Sequence, residues 1–77
     1  MEIKVLGPGC PNCHKTEEVV KMALLEAGLP AKVEKVTGMM EIASHGVMRT
    51  PAVVVDGQVK CSGKVPSLAE VLSWLGR

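Results

Sequence analysis

Phenylalanine and tyrosine are missing from this chain of 77 residues, and tryptophan occurs once, at position 74. Any core built from it is therefore aliphatic. No segment approaches the roughly 18 consecutive apolar residues that suggest a membrane-spanning helix. The opening Met1-Glu2-Ile3-Lys4-Val5-Leu6 alternates charged and aliphatic side chains and has no apolar run of signal-peptide length. A membrane partner is therefore not expected, and a cytoplasmic location is. Excess charge of one sign is lacking too: the formal net charge is +1, and the lysines at 4, 15, 21, 32, 35, 60 and 64 form no stripe able to track a phosphate backbone. Nucleic acid is not an expected partner.

Cysteine is sparse, with three residues at 10, 13 and 61. In a cytosol that keeps thiols reduced, three cysteines argue poorly for a structural disulfide framework. The four-residue ring that Cys10 and Cys13 can close would contribute only about 2 kcal/mol by loop entropy, against about 3 kcal/mol for a 15-residue loop. A disulfide there is better explained by chemistry than by stability. The length allows one domain, residues 1–77, and the 47% apolar and 22% charged residues suit a packed domain rather than a disordered chain.

The hydrophobic periodicity divides the chain into seven elements. Glu2 to Leu6 alternates as a strand and is broken by Gly7-Pro8-Gly9. A helix is expected from Pro11 to Ala27, its inward stripe Cys13, Thr16, Val20, Ala23, Leu24 and Ala27, with Pro11 suited to its first turn and Gly28 to its end. Ala31 to Val36 reads as an edge strand with Val33 inward and Lys32, Glu34 and Lys35 around it as guarding charges. A short helix from Met39 to His45 should face Ile42 and Met39 or Met40 inward. Ala52-Val53-Val54-Val55 is apolar on both faces, as a central strand must be, and Asp56-Gly57 signals a tight turn into Gln58 to Ser62, where Val59 and Cys61 should share the inward face. Ser67 caps a last helix with Leu68, Val71, Leu72 and Leu75 as its buried stripe and Trp74 at its edge. The order βαβαββα predicts an α/β domain with a four-stranded mixed sheet and three helices, the first two strands parallel and the hairpin antiparallel.

Gly7-Pro8-Gly9-Cys10-Pro11-Asn12-Cys13-His14 is the stretch that folding needs do not explain. Two cysteines spaced this way can form a redox disulfide, supply half a metal site, or attach a haem when histidine follows. Tetrahedral zinc needs a second pair, and only Cys61 remains. The aliphatic pattern leaves no evident haem pocket. At the start of a helix, unpaired backbone N–H groups favour an anion, and a Cys10 thiolate would be that anion, helped by a hydrogen bond from Cys13.

The Cys-x-x-Cys motif after a first strand, Gly46-Val47-Met48-Arg49-Thr50-Pro51-Ala52 before the apolar strand, Asp56-Gly57 at the hairpin and Ser62-Gly63-Lys64-Val65-Pro66-Ser67 entering the last helix together resemble the thioredoxin fold in its minimal, glutaredoxin-sized form. The chain is most similar to the small thioredoxin-like proteins called redox-active disulfide protein 2. The resemblance implies a disulfide reductase with Cys10 as exposed nucleophile, Cys13 as buried resolving thiol, and Thr50-Pro51 as a cis peptide bond pairing with substrate. Pro11 and Arg49 are expected beside the substrate, Arg49 steering an anionic one. The expected partners are disulfide-containing proteins and a thioredoxin-reductase-like donor, with no cofactor, no resident metal and a monomeric state. Gly9 stands where thioredoxins carry tryptophan, and Asn12 where glutaredoxins carry tyrosine, so a glutathione mechanism does not transfer.

The alternative is a soft-metal carrier for copper or zinc like the small copper-chaperone domains, which also place Cys-x-x-Cys after a first strand. Those end in a strand and carry methionine where this chain has Pro8. His14 is expected to be a solvated helical residue, Cys61 a small buried hydrophobe, and Met39, Met40 and Met48 fillers of an aromatic-poor core.

Overall fold

The computed structural model describes residues 2–76, so Met1 and Arg77, the ends of the expected domain, lie outside the described residues. Seven elements follow in order: β1 (Glu2–Leu6), α1 (Pro11–Ala27), β2 (Lys32–Val36), α2 (Met39–Ser44), β3 (Ala52–Val55), β4 (Gln58–Ser62) and α3 (Leu68–Trp74). The strands form one mixed sheet in the order β2-β1-β3-β4, with β1 parallel to β2 and antiparallel to β3, and β3 antiparallel to β4.

Local chemistry sets the boundaries. Gly28 closes α1 in the left-handed conformation (φ 65°), where its N–H reaches the Leu24 and Leu25 carbonyls. Asp56 (φ 48°) and Gly57 (φ 84°) both take the positive φ that a type I′ hairpin turn demands. Asp56 also ties this turn to the start of β1: its N–H donates to the Glu2 carbonyl, and its carboxylate accepts from the Glu2 N–H, each at 2.8 Å. At α3, the Ser67 hydroxyl accepts from the Glu70 N–H while Glu70 accepts from the Ser67 N–H, a reciprocal cap.

The alternation of side chains sorts the core into two layers. Ile3, Val5, Val53 and Val55 face Val20, Ala23 and Leu24 of α1 and Val71 and Leu75 around α3. On the other side, Leu6, Val36, Ala52 and Val54 pack with Ile42 of α2 and Val47. β3 is buried along its whole length because both faces are covered. Each fully buried aliphatic side chain contributes about 1.5–3 kcal/mol, so these two layers fix the sheet between the helices.

The fold departs from the expected packing in three places. Val36, rather than Val33, is the deeply buried residue of β2, because it faces α2 at the sheet end, while Val33 is half-buried at the edge. Val59 and Cys61 do not share a face: a bulge sets Cys61 opposite Val53 and Val59 opposite Val54, so Lys60 is the extra residue and the alternation reverses. Cys61 thus packs against the α1 layer, and Val59 is exposed. Met39, Met40 and Met48 point to solvent, at 70%, 88% and 96% exposure, and do not fill the core. Ile42 alone anchors α2, and valine and leucine close the core in place of the missing aromatics.

Glu17 of α1 pairs with Lys21 at 3.3 Å and with Lys35 of β2 at 3.5 Å, linking helix to edge strand. Partial burial raises its carboxyl pKa, but hydrogen bonds and charge from the two lysines outweigh that and hold it below the ordinary glutamate value. Its contribution is therefore full above the ordinary carboxylate range and is lost as pH falls through the lowered value. Glu17→Gln should cost about 0.5 kcal/mol at neutral pH in denaturant unfolding, and the difference from wild type should vanish on acidification.

Candidate active site

β1 delivers the chain to one end of the sheet, where Gly7 is buried and donates its N–H to the Val36 carbonyl at 2.9 Å. Gly9 turns at φ 95°, a conformation favouring glycine, and Cys10 follows in an extended conformation as the N-cap of α1. Pro11 begins the helix, exposed, at a position whose missing N–H leaves no bond unmade.

Cys10 performs the capping that serine or aspartate usually performs: its sulfur accepts a hydrogen bond from the Cys13 N–H at 3.3 Å. The two sulfurs are joined as a disulfide, with Cα atoms 5.0 Å apart. Exposure separates them. Cys13 is 6% exposed and lies against Gly7, whereas Cys10 is only partly covered. No acidic residue occupies the first turn of α1, so a reduced Cys10, at the cap and partly open to solvent, is well placed to take negative charge there. A helix N-terminus favours such an anion by about 0.3–1 kcal/mol, and up to about 2 kcal/mol where partly buried.

The sulfur of Cys13 fits because residue 7 has no side chain. A Cβ built on Gly7 would overlap Cys13 Sγ, stand 3.2 Å from Cys13 Cβ, and lie 3.8 Å from Thr50 Cβ. The same small space thus meets both the buried cysteine and the loop before β3. Within that loop the Thr50–Pro51 peptide bond is cis, Thr50 is half-buried, and Pro51 is buried with its carbonyl accepting from the Gly63 N–H at 2.9 Å. Arg49 is exposed, and its stem lies over Gly63, where an added Cβ would come within 3.1 Å of Arg49 Cβ and 3.2 Å of its Cδ.

Of the residues expected at the site, the structure brings together Cys10, Cys13 and Pro11 with Thr50 at the neighbouring wall, and Pro51 behind it. Arg49 adjoins this group through the loop and makes no ion pair among the described residues. His14 is exposed, contributing its backbone N–H to the Cys10 carbonyl at 3.1 Å. Cys61 is half-buried, its thiol directed at the Lys64 carbonyl at 4.0 Å; burial, the leading cause, pushes its pKa up and disfavours a thiolate. Gly7 and Gly63 stand within stretches that the sequence singles out, but their roles as the seats of Cys13 and Arg49 were missed. A glycine at the end of a strand and three residues before a Cys-x-x-Cys is the signal available for Gly7; nothing local marked Gly63 as a seat for Arg49.

Among the described residues, no group of three or more His, Cys, Asp or Glu gathers to hold a metal ion. No helix is long and apolar enough to cross a membrane among those residues.

A family model described as a thioredoxin domain matches residues 1–76. The chain is 44% identical over 69 residues to a protein named thioredoxin from Methanocaldococcus jannaschii, covering 90% of this chain and 79% of that one. It is 37% identical over 71 residues to a protein named thioredoxin from Methanothermobacter thermautotrophicus, covering 92% of each.

Gly7→Ala should push the Cys13 side chain from its seat. Overpacking of this kind costs about 1–3 kcal/mol, so the variant should unfold at lower denaturant than wild type in the oxidised form, with unchanged slope. Unaltered unfolding would mean the sulfur is not confined by residue 7.

Proposed function

The chain belongs to the thioredoxin domain family, and on that premise we propose that it is a thiol–disulfide oxidoreductase that reduces protein disulfides with Cys10 and Cys13. The observation that carries this reading is the Cys10–Cys13 pair itself, one sulfur partly open at a helix N-terminus and the other enclosed one turn inward.

In the reduced protein, Cys10 thiolate attacks one sulfur of a substrate disulfide. That bond breaks, the departing substrate sulfur takes up a proton, and Cys10 is left in a mixed disulfide. Cys13 then loses its proton and attacks Cys10 Sγ, re-forming the internal disulfide and releasing the second substrate thiolate. Two electrons have passed to the substrate. A dithiol donor, of the kind a thioredoxin-reductase-like partner supplies, restores the pair. The sequence of attacks follows from access: Cys10 can be reached from outside, whereas Cys13, buried against Gly7, has Cys10 as its neighbour.

A substrate segment would lie along Thr50, with Pro51 buried behind it and Pro11 exposed at the start of α1. Arg49, free of acidic partners among the described residues, favours a substrate with a carboxylate near its half-cystine. The setting proposed is the cytoplasm, where such a pair is kept reduced. A soft-metal carrier is the less supported reading: the site offers two sulfurs and no third ligand among the described residues.

With insulin as substrate and dithiothreitol as donor, wild type should accelerate reduction, and Cys10→Ser should return the rate to that of dithiothreitol alone. Pre-reduced Cys13→Ser, freed of dithiothreitol before insulin is added, should accumulate a covalent mixed disulfide through Cys10, visible by mass spectrometry. Arg49→Gln should slow reduction of a carboxylate-flanked peptide disulfide by about two- to fivefold while sparing a neutral one. Wild-type protein that binds copper(I) stoichiometrically yet never turns over a disulfide contradicts the proposal.

A further inference from the structure

The two free edges of the sheet differ. β4 is bulged between its pairings to Val53 and Val54, a device that spoils an edge for further pairing. β2 is regular, in step with β1 over five residues from Lys32 to Val36. Beside it lies an apolar groove lined by Leu24, Leu25, Leu29, Ala31 and Val33, with Lys21 at the rim. Leu25 is 81% exposed, an aliphatic side chain left in water next to a regular strand edge.

The charges on β2 say what can pair there. Ala31, Val33 and Lys35 lie on the α1 side of the sheet, as the core packing of Val33 and the Lys35–Glu17 pair require; Lys32, Glu34 and Val36 lie on the α2 side. Two copies joined antiparallel at this edge are related by a two-fold axis normal to the sheet, so one residue faces its own counterpart. Centring on Lys32 or Lys35 opposes two lysines, and centring on Glu34 opposes two glutamates. Centring on Val33 sets Val33 against Val33 and places Lys32 of each copy opposite Glu34 of the other. Ala31 then faces Lys35, whose ammonium is already held by Glu17. This same arrangement lays the two α1 helices side by side, with each groove and its Leu25 turned toward the other.

We propose that β2 is a self-association edge, at which a second copy of this chain pairs antiparallel about Val33 and extends the sheet to eight strands. The strand's charges thus favour this register instead of merely guarding the edge, and the expected monomer becomes the dilute form. The association is separate from the disulfide chemistry, whose residues lie elsewhere on the fold.

Sedimentation equilibrium of the intact protein, from micromolar to millimolar concentration, tests this. The mass should climb from 8.1 kDa toward twice that value. Lys32→Glu and Glu34→Lys should each weaken association about tenfold, since each turns two attractive pairs repulsive. An equimolar mixture of the two variants should recover it: the first carries a carboxylate at both positions and the second an ammonium at both, so every cross-strand pair in a mixed dimer is attractive. Circular dichroism and insulin reduction should be unchanged in both. A wild type that stays at 8.1 kDa at millimolar concentration overturns the proposal, leaving the edge to another protein's strand. Association indifferent to both substitutions also overturns it, by placing the contact on another face.

Discussion

A cysteine sulfur caps helix α1, accepting the Cys13 N–H where serine or aspartate would ordinarily stand. That contact ties folding to chemistry. The helix needs an acceptor for its unpaired N–H groups, and the acceptor supplied is an atom that gains electron density on reduction and loses it on attack. In the reaction proposed above, the same N–H groups that the cap satisfies would bias reduced Cys10 toward the thiolate, the form that attacks.

The rest of the fold keeps this cap at an accessible end of the sheet. β1 is central, between β2 and β3, and both layers of aliphatic packing bear on its end, so Gly7 and the turn after it are held firmly. α1 lies against one face through Val20, Ala23 and Leu24, which places its N-terminus beside Gly7 and the Thr50–Pro51 loop. Two neighbouring cysteines thereby acquire unequal environments: one meets solvent, the other fills the space residue 7 leaves. The family's thioredoxin fold is the scaffold, and the site depends on a few atoms at the junction of β1, α1 and the loop before β3.

Much of this was legible in the letters. Alternation in β1, the stripe of α1, the apolar run of β3 and the Asp56-Gly57 turn each carry strong local signals, and the elements fall where those signals put them. The motif announced its chemistry because nothing in packing calls for two cysteines at that spacing. Features arising between elements were not legible. The bulge that separates Val59 from Cys61 depends on how β4 meets β3, so alternation within β4 alone misassigned the faces. The exposed methionines of α2 followed from a six-residue helix needing only Ile42 to anchor it. The role of Gly7 required knowing that Cys13 folds back against it.

If the helix start favours the charged form of Cys10, its ionisation in the reduced protein must show it. Thiolate absorbance of the reduced Cys61→Ala protein, followed through a pH titration alongside the same protein with Cys10→Ser, tests it most directly. The difference between the two should report a thiol ionising well below the value of about 8.5 for free cysteine. A difference curve with its midpoint at or above the free-cysteine value would contradict it.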